Sequence, residues 1–283
     1  TCVITSVIPR ETGDATNYDM HLAANGYVYL KIRRGMYGLK EAAIIAFNQL
    51  VKKLAAYGYT PMPFTPGLWG HKTKRTTFVL CVDNFGVKYF STADAQHLID
   101  AVNDHYELTT DWSGALYCGL TLNWHYKEGY VDISMPGYVE RALKKFNHPA
   151  PTKRQHAPHK WFEPVYGSRQ PQSPTPSSTA PLLDQQGTAQ VQSISGTFLF
   201  YGRACDPCIF PALNEIASQQ AKPTTETAAK CDMLMDYLHT YPNGVIRYHA
   251  SDMILKIESD AAYLVQPKAR SRAAVHFHLG WLN

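Results

Sequence analysis

Residues 76–90, TTFVLCVDNFGVKYF, constrain the fold of this chain more than any other stretch. A run of strand formers, Phe78 to Val82, meets the polar pair Asp83–Asn84, and a second run follows in Phe85, Val87, Tyr89 and Phe90. Strand formers on both sides of two residues that tolerate positive φ predict a β-hairpin. Its strands should cover 78–82 and 85–90, with Asp83–Asn84 at the tip. The segment before it predicts a helix over 41–57, because Ala43, Ile44, Phe47, Leu50, Val51 and Leu54 recur at three and four residues and Gly58 stands where a C-cap belongs. The hairpin should pack on that helix.

The surrounding pattern extends the same class. A strand is expected from Tyr27 to Ile32, ending in a glycine-punctuated turn. TADAQHLIDAVNDHYEL reads as a second helix with Leu98, Ile99, Val102 and Tyr106 on one face and Thr92 as N-cap. Two short strands should flank a Lys127–Gly129 turn, and GYVERALKKF is a short helix with a Tyr138, Ala142, Phe146 stripe. Helix, hairpin, helix, hairpin, helix describes an α+β domain with an antiparallel sheet and helices on one face.

Composition then shifts. Residues 147–181 are crowded with Pro, Ser, Gln and His, and their SPTPSSTAP part should be exposed and irregular. Four regions result: an α+β part over 1–148, a Pro/Ser-rich linker over 149–187, a helical part over 188–243 and a small sheet over 244–283. The helical part holds three helical stretches over 188–240, the second beginning near Pro207 and the third ending before YPNG. The closing sheet has strands expected at 245–249, 253–259 and 273–279.

The 283 residues are 45% apolar and 18% charged, enough for a core and against global disorder. A net charge of +4 is compatible with nucleic acid, but clustering matters more than the total. No apolar run reaches the length of a membrane span and no signal-peptide pattern opens the chain, so a soluble intracellular, cytoplasmic protein is expected. The first residues, TCVITSVIPRETGD, carry no clear period, and a start at Thr1 reads as processing or a fragment. Cys81 and Cys118 lie in apolar runs and read as buried free thiols. Cys205 and Cys208 form a C-x-x-C without a second pair, which reads as a helix break around Pro207 rather than a metal or redox site. His156 and His159 lack companion ligands.

Five segments together resemble the reverse transcriptase of copia-type LTR retrotransposon Pol polyproteins, in order and through nearly the whole chain. RRGMYGLKEA resembles the family's ALYGLKQA, and LCVDNFG stands where the family has its YVDD hairpin. LYCGLTLNW followed by ISMPGYVERALKKF resembles FLGI…SQ…Y…LLKKF. SISGTFLFYGRACDPCIFPALNEIA resembles GSLMYL…RPDI…AV…LS. ESDAAY…KARSRAAVHFHLG resembles the opening of the RNase H domain, SDADWA…RKSTSGYVFFLG. The resemblance implies a palm remnant over 1–148, a thumb- or connection-like helical part and the first strands of an RNase H-like sheet. It implies RNA-directed DNA synthesis with template-primer and deoxynucleotides as partners. Two Mg²⁺ ions would stabilise the attacking and leaving oxygens. It places Asp83 and Asn84 at the catalytic tip, Tyr37, Gly38, Leu39, Lys40 and Glu41 at the nucleotide and template site, and Asp83 and Asp260 among the metal ligands.

Three departures from the family pattern stand out. No upstream strand of the type VDVKTAFLNG precedes residue 27, where Asp14 and Asp19 are the only aspartates. Asn84 replaces the second tip carboxylate, removing a charge from a site that holds two dications. Glu41 stands where the family has Gln, and would repel a triphosphate. The RNase H-like part holds Asp260 but ends at Asn283, before the later acidic ligands of that fold. The sequence therefore reads as a polymerase fragment that is catalytically inactive. The alternatives are a non-catalytic nucleic-acid-binding or interaction protein derived from such an element, or a pseudogene product. Arg33, Arg34 and Lys40 could track a template backbone, and Trp112, Trp124 and Trp161 could stack on bases, although solvation and burial are the commoner fates of these residue types. Lys144 and Lys145 suit a helix C-terminus in any protein.

Overall fold

The hairpin expected from TTFVLCVDNFGVKYF lies inside a six-stranded antiparallel sheet in the computed structural model, which describes residues 2–9, 21–22, 28–29, 40–160, 180–266 and 270–282. These residues are mixed α and β, with antiparallel sheets and six α-helices, as the α+β order predicts. Contacts divide the chain into two compact units, Thr1–Gly119 and Leu120–Asn283.

The first unit contains, in chain order, β1 (Cys2–Pro9), the two-residue pair β2 (His21–Leu22) and β3 (Val28–Tyr29), and α1 (Lys40–Ala55). β4 (Tyr59–Pro61), β5 (Leu68–His71), β6 (Thr77–Cys81) and β7 (Asn84–Lys88) follow, then α2 (Thr92–Asn103), β8 (Tyr106–Asp111) and β9 (Leu116–Tyr117). The sheet order is β4-β5-β6-β7-β1-β8. Setting aside the β4–β5 insertion leaves β1-α1-β6-β7-α2-β8 with the first strand between the third and the fourth, a split βαβ arrangement of the ferredoxin-like kind.

β1 overturns the reading of residues 2–9 as patternless. It pairs with β7 (Cys2↔Val87, Val3↔Gly86, Ile4↔Phe85) and on its other edge with β8 from Val3↔Asp111 to Pro9↔Tyr106. A register shift between Ile4 and Ser6 interrupts the pairing with β8. A bulge resets the two-residue alternation, so no single period runs through the strand, and its β-branched content carries the preference instead.

One core joins the hairpin to both helices, as expected. Phe78, Phe85 and Val87 from β6 and β7 share it with Leu50 and Leu54 of α1, Trp69 of β5 and Leu98, Ile99 and Val102 of α2. The stripe on α1 is shorter than its spacing implies, since Ile44 and Phe47 are exposed and only Leu50 and Leu54 are buried. Gly58 follows α1 at φ 88, the left-handed conformation that glycine adopts without strain. The N-cap of α2 is Ser91, one residue before the expected Thr92. Its backbone is extended and its hydroxyl accepts from the Asp94 N–H.

The second unit holds β10 (Leu120–His125), β11 (Tyr130–Ser134), α3 (Tyr138–Lys145) and α4 (Gln185–Ala204), then a 3-10 turn (Pro207–Ile209), α5 (Phe210–Gln219) and α6 (Thr225–Thr240). It closes with β12 (Val245–His249), β13 (Ile254–Gln266) and β14 (Arg270–Gly280). The sequence pattern groups residues 120–148 with the first region, yet Val139, Ala142 and Leu143 of α3 share a core with Ile194, Phe198 and Tyr201 of α4 and Leu234 and Leu238 of α6. Of the expected Tyr138, Ala142, Phe146 stripe, only Ala142 is fully buried.

The three closing strands do not form one sheet. β12 pairs with β11 from Tyr130↔His249 to Ser134↔Val245, while β13 and β14 pair with each other. Arg247 accounts for part of that choice: its guanidinium grips Asp132 with two bonds of 2.7 and 2.8 Å and lies 3.8 Å over the Tyr130 ring. The start of the expected linker is also tied down, since Gln155 N donates to Thr240 Oγ1 at 3.1 Å and His156 Nδ1 lies 2.6 Å from the Tyr241 hydroxyl. Most of the SPTPSSTAP stretch lies outside the described residues. Among the described residues no helix is long and apolar enough to cross a membrane.

Candidate functional site

The hairpin turns one residue earlier than expected. Cys81 pairs with Asn84, leaving Val82 and Asp83 as the two turn residues, so Asn84 opens β7 instead of sharing the tip. Val82 has φ 57 and Asp83 is not among the positive-φ residues, the signature of a type II′ turn, whose first position favours glycine. A β-branched residue in that region costs about 1–2 kcal/mol, and Val82 is 80% exposed, so packing does not offset the strain. Val82→Gly is therefore expected to raise the denaturation midpoint of the first unit, by up to about 1 kcal/mol after glycine's extra chain entropy. An unchanged or lowered midpoint would show the turn to be relaxed.

At the tip Asp83 is half-buried, and its Oδ1 accepts from Asn84 Nδ2 at 3.0 Å. Cys81 is exposed and Cys118 half-buried, so neither is the fully buried thiol its apolar run suggests. Burial, then a hydrogen bond with Cys81, holds the Cys118 thiol above its ordinary pKa, which makes it a poor nucleophile at neutral pH. Tyr117 donates to Val79 O at 3.4 Å, and its ring lies where a Cβ on Gly86 would come within 3.3 Å, so only glycine fits there without displacement.

β1 runs beside β7 with Ile4 opposite Phe85, one residue from Asn84, and CVITSVIP contains no carboxylate. Asp14 and Asp19 lie outside the described residues. A two-metal site needs several converging carboxylates. The described residues at the tip supply one, already bonded to an amide, and so do not fit a pair of Mg²⁺ ions. Compared with known proteins, the chain matches no family model, no curated protein and no solved structure.

Tyr37, Gly38 and Leu39 lie outside the described residues, as do Arg33, Arg34 and Trp161. Lys40 begins α1, and Glu41 is exposed in its first turn, where the helix dipole favours a carboxylate. Asp260 is exposed on β13 opposite Ala274, with Oδ1 accepting from Ala261 N at 2.8 Å. Trp112 is exposed, and Trp124 stacks on Tyr126 at 5.5 Å.

The C-x-x-C is a helix break, as its Pro207 suggests. Cys205 caps α4, and Asp206 caps the 3-10 turn, accepting from Cys208 N at 3.2 Å. Burial, and then Asp206, pushes the buried Cys205 thiol up to about 11 and raises that of Cys208. Burial also raises the Asp206 carboxyl above the usual range. A carboxyl with a raised folded pKa destabilises above its unfolded value, about 3.9, and that penalty vanishes below it. Asp206→Asn keeps the capping oxygen and removes the charge, so its thermal midpoint should exceed that of the unaltered chain at pH 7 and converge with it below about pH 4. A lower midpoint at pH 7 would show that the charge itself supports the turn.

One cluster escaped the sequence. The buried side chain of His148 places Nε2 2.8 Å from Asp236 Oδ1 and Nδ1 4.0 Å from Asp232 Oδ1, beside an open cleft of about 510 Å³ lined also by Glu140, Lys144 and His239. Asp232 and Asp236, one turn apart on α6, were its only local signal.

Proposed function

We propose that this chain is a fragment of a copia-type retrotransposon Pol polyprotein, a reverse-transcriptase unit followed by the start of an RNase H-like domain, without polymerase activity of its own. The observation that carries the reading is the placement of β1. The family's chemistry needs an upstream strand directly beside the hairpin that presents the tip, and β1 pairs along β7 up to one residue from Asn84. The order of the five sequence motifs supports the same reading. In the family a primer 3′-hydroxyl attacks the α-phosphorus of a deoxynucleotide and pyrophosphate leaves. Here Asp83 alone among the described tip residues offers a carboxylate. The test is primer extension on an RNA template with Mg²⁺ and deoxynucleotides, where no product is expected. Template-dependent product that Asp83→Ala abolishes would overturn the inactivity and show that a carboxylate such as Asp14 or Asp19 completes the site.

A second reading, a non-catalytic nucleic-acid-binding protein derived from the same element, is favoured by one patch on the first unit. Arg75 lies 3.8 Å and Lys88 5.8 Å from the ring centre of Phe90, which is 60% exposed, with Lys72 exposed on the adjoining turn. Cations around an exposed ring suit single-stranded nucleic acid, where phosphates meet the charges and bases stack. Three phosphate contacts would weaken single-strand binding about 20-fold between 50 and 200 mM salt. Phe90→Ala should weaken it about 10-fold at fixed salt, as expected for one lost stacking contact. Salt-independent retention, or none at low salt, would remove this reading.

A further inference from the structure

The β13–β14 ribbon separates its residues by face. Lys256, Glu258 and Asp260 alternate on β13 with Leu255, Ile257 and Ser259, and the register sets Lys256 opposite His278, Glu258 opposite His276 and Asp260 opposite Ala274. One face is therefore apolar, with Leu255, Ile257, Val275, Phe277 and Leu279, and the other carries two imidazoles and two carboxylates.

On the polar face, one donor atom each from Glu258, His276 and His278 lies within 4.8 Å of the others. His276 Nδ1 is 3.5 Å from Glu258 Oε2, and the two imidazole rings lie 5.0 Å apart and 25° from parallel. Nδ1 of His278 is shielded from solvent and has no hydrogen-bond partner. A shielded nitrogen without a partner is destabilising, and a bound cation would satisfy its lone pair.

We infer that Glu258, His276 and His278 form a binding site for a borderline divalent transition metal of the zinc class. Two imidazoles and one carboxylate are the donors such ions prefer, whereas Mg²⁺ and Ca²⁺ prefer oxygen. Ligand bonds of about 2.1 Å in tetrahedral geometry separate donors by about 3.4 Å. The present spacing reaches that by small side-chain rotations, and His276 and Glu258 have 70% and 73% of their side chains exposed and free to make them. A fourth position stays open to water. Lys256 is the one cation directly opposite a ligand, and its stem runs toward Gly280, where a Cβ would meet Lys256 Cγ at 3.2 Å. The resemblance that marks Asp260 assigns nothing to either histidine, so the site stands independently of the polymerase reading.

The test is calorimetric titration of the untagged full chain with Zn²⁺, alongside the visible absorption of Co²⁺ bound in its place. Saturable binding of one ion per chain is expected, with the visible bands of a four-coordinate Co²⁺ site. Glu258→Gln should weaken it about 10-fold and the pair His276→Ala, His278→Ala should abolish it, while His156→Ala with His159→Ala leaves it unchanged. Far-UV dichroism should match in all variants, because the substituted side chains lie on an open face. One-to-one binding that survives the double substitution, binding no stronger than the double variant's, or displacement of Zn²⁺ by millimolar Mg²⁺ would each overturn the assignment.

Discussion

A chain carrying Asn84→Asp and Glu41→Gln together is expected to extend no primer with Mg²⁺ and deoxynucleotides. The double change places a second carboxylate beside Asp83, at the first residue of β7, and removes the charge that would meet the triphosphate. It leaves the strand beside the tip unaltered, and CVITSVIP offers no oxygen ligand of the carboxylate kind. Groups that act as a unit lose function together: removing one member of a catalytic set costs about 10⁴-fold or more, close to the cost of removing all. Asn84→Asp also places a second negative charge beside Asp83, where Asn84 now donates a 3.0 Å hydrogen bond. Without cations to bind, that repulsion loosens the turn. The doubly substituted chain should therefore stay at background in extension and unfold at a slightly lower denaturant concentration. Extension appearing with the double change alone would show that a carboxylate outside the described residues reaches the tip.

Trp69→Ala is expected to lower the stability of the first unit by about 3–5 kcal/mol, against a total of about 5–15 kcal/mol for an ordinary domain. Trp69 is fully buried, stacks on Phe78 at 5.4 Å and meets Phe47 edge-on at 5.8 Å. Alanine would leave a cavity between β5, β6 and α1 that rigid strands cannot close. The indole N–H has no hydrogen-bond partner, however. Trp69→Phe keeps most of the ring and removes that orphan donor, so its loss should stay under about 1.5 kcal/mol. Urea unfolding followed by far-UV dichroism distinguishes the two. Equal losses for Ala and Phe would show that the N–H is satisfied and contributes.

Most elements were legible because their signals are local. The stripe Leu50–Leu54 and Gly58 marked the end of α1, the Lys127–Gly129 turn marked β10 and β11, and Pro207 with YPNG marked the helices of the second unit. The misses have a common cause. β1 was hidden by a bulge that breaks its alternation. Val82 is a poor choice for positive φ, so composition points to Asp83–Asn84, one residue past the actual turn. The apolar neighbours of Cys81 do not report which face of β6 it shares, and Cys118 lies not in a strand but in the turn after β9, at φ 50.

By itself, then, the sequence determined the helices and several of the strands and turns, since periodicity, caps and φ preferences act over a few residues. The tertiary structure alone decided which strands are neighbours. It carried β12 away from β13 to β11, where Arg247 meets Asp132, and it set β1 beside the hairpin tip. It also decided which chemistry converges: His148 with Asp236, 88 residues apart, and Glu258 with His276 and His278 across one ribbon. Pairing and convergence depend on long-range burial and register, which many local patterns satisfy equally well, so they are settled only when the whole sheet and core form together.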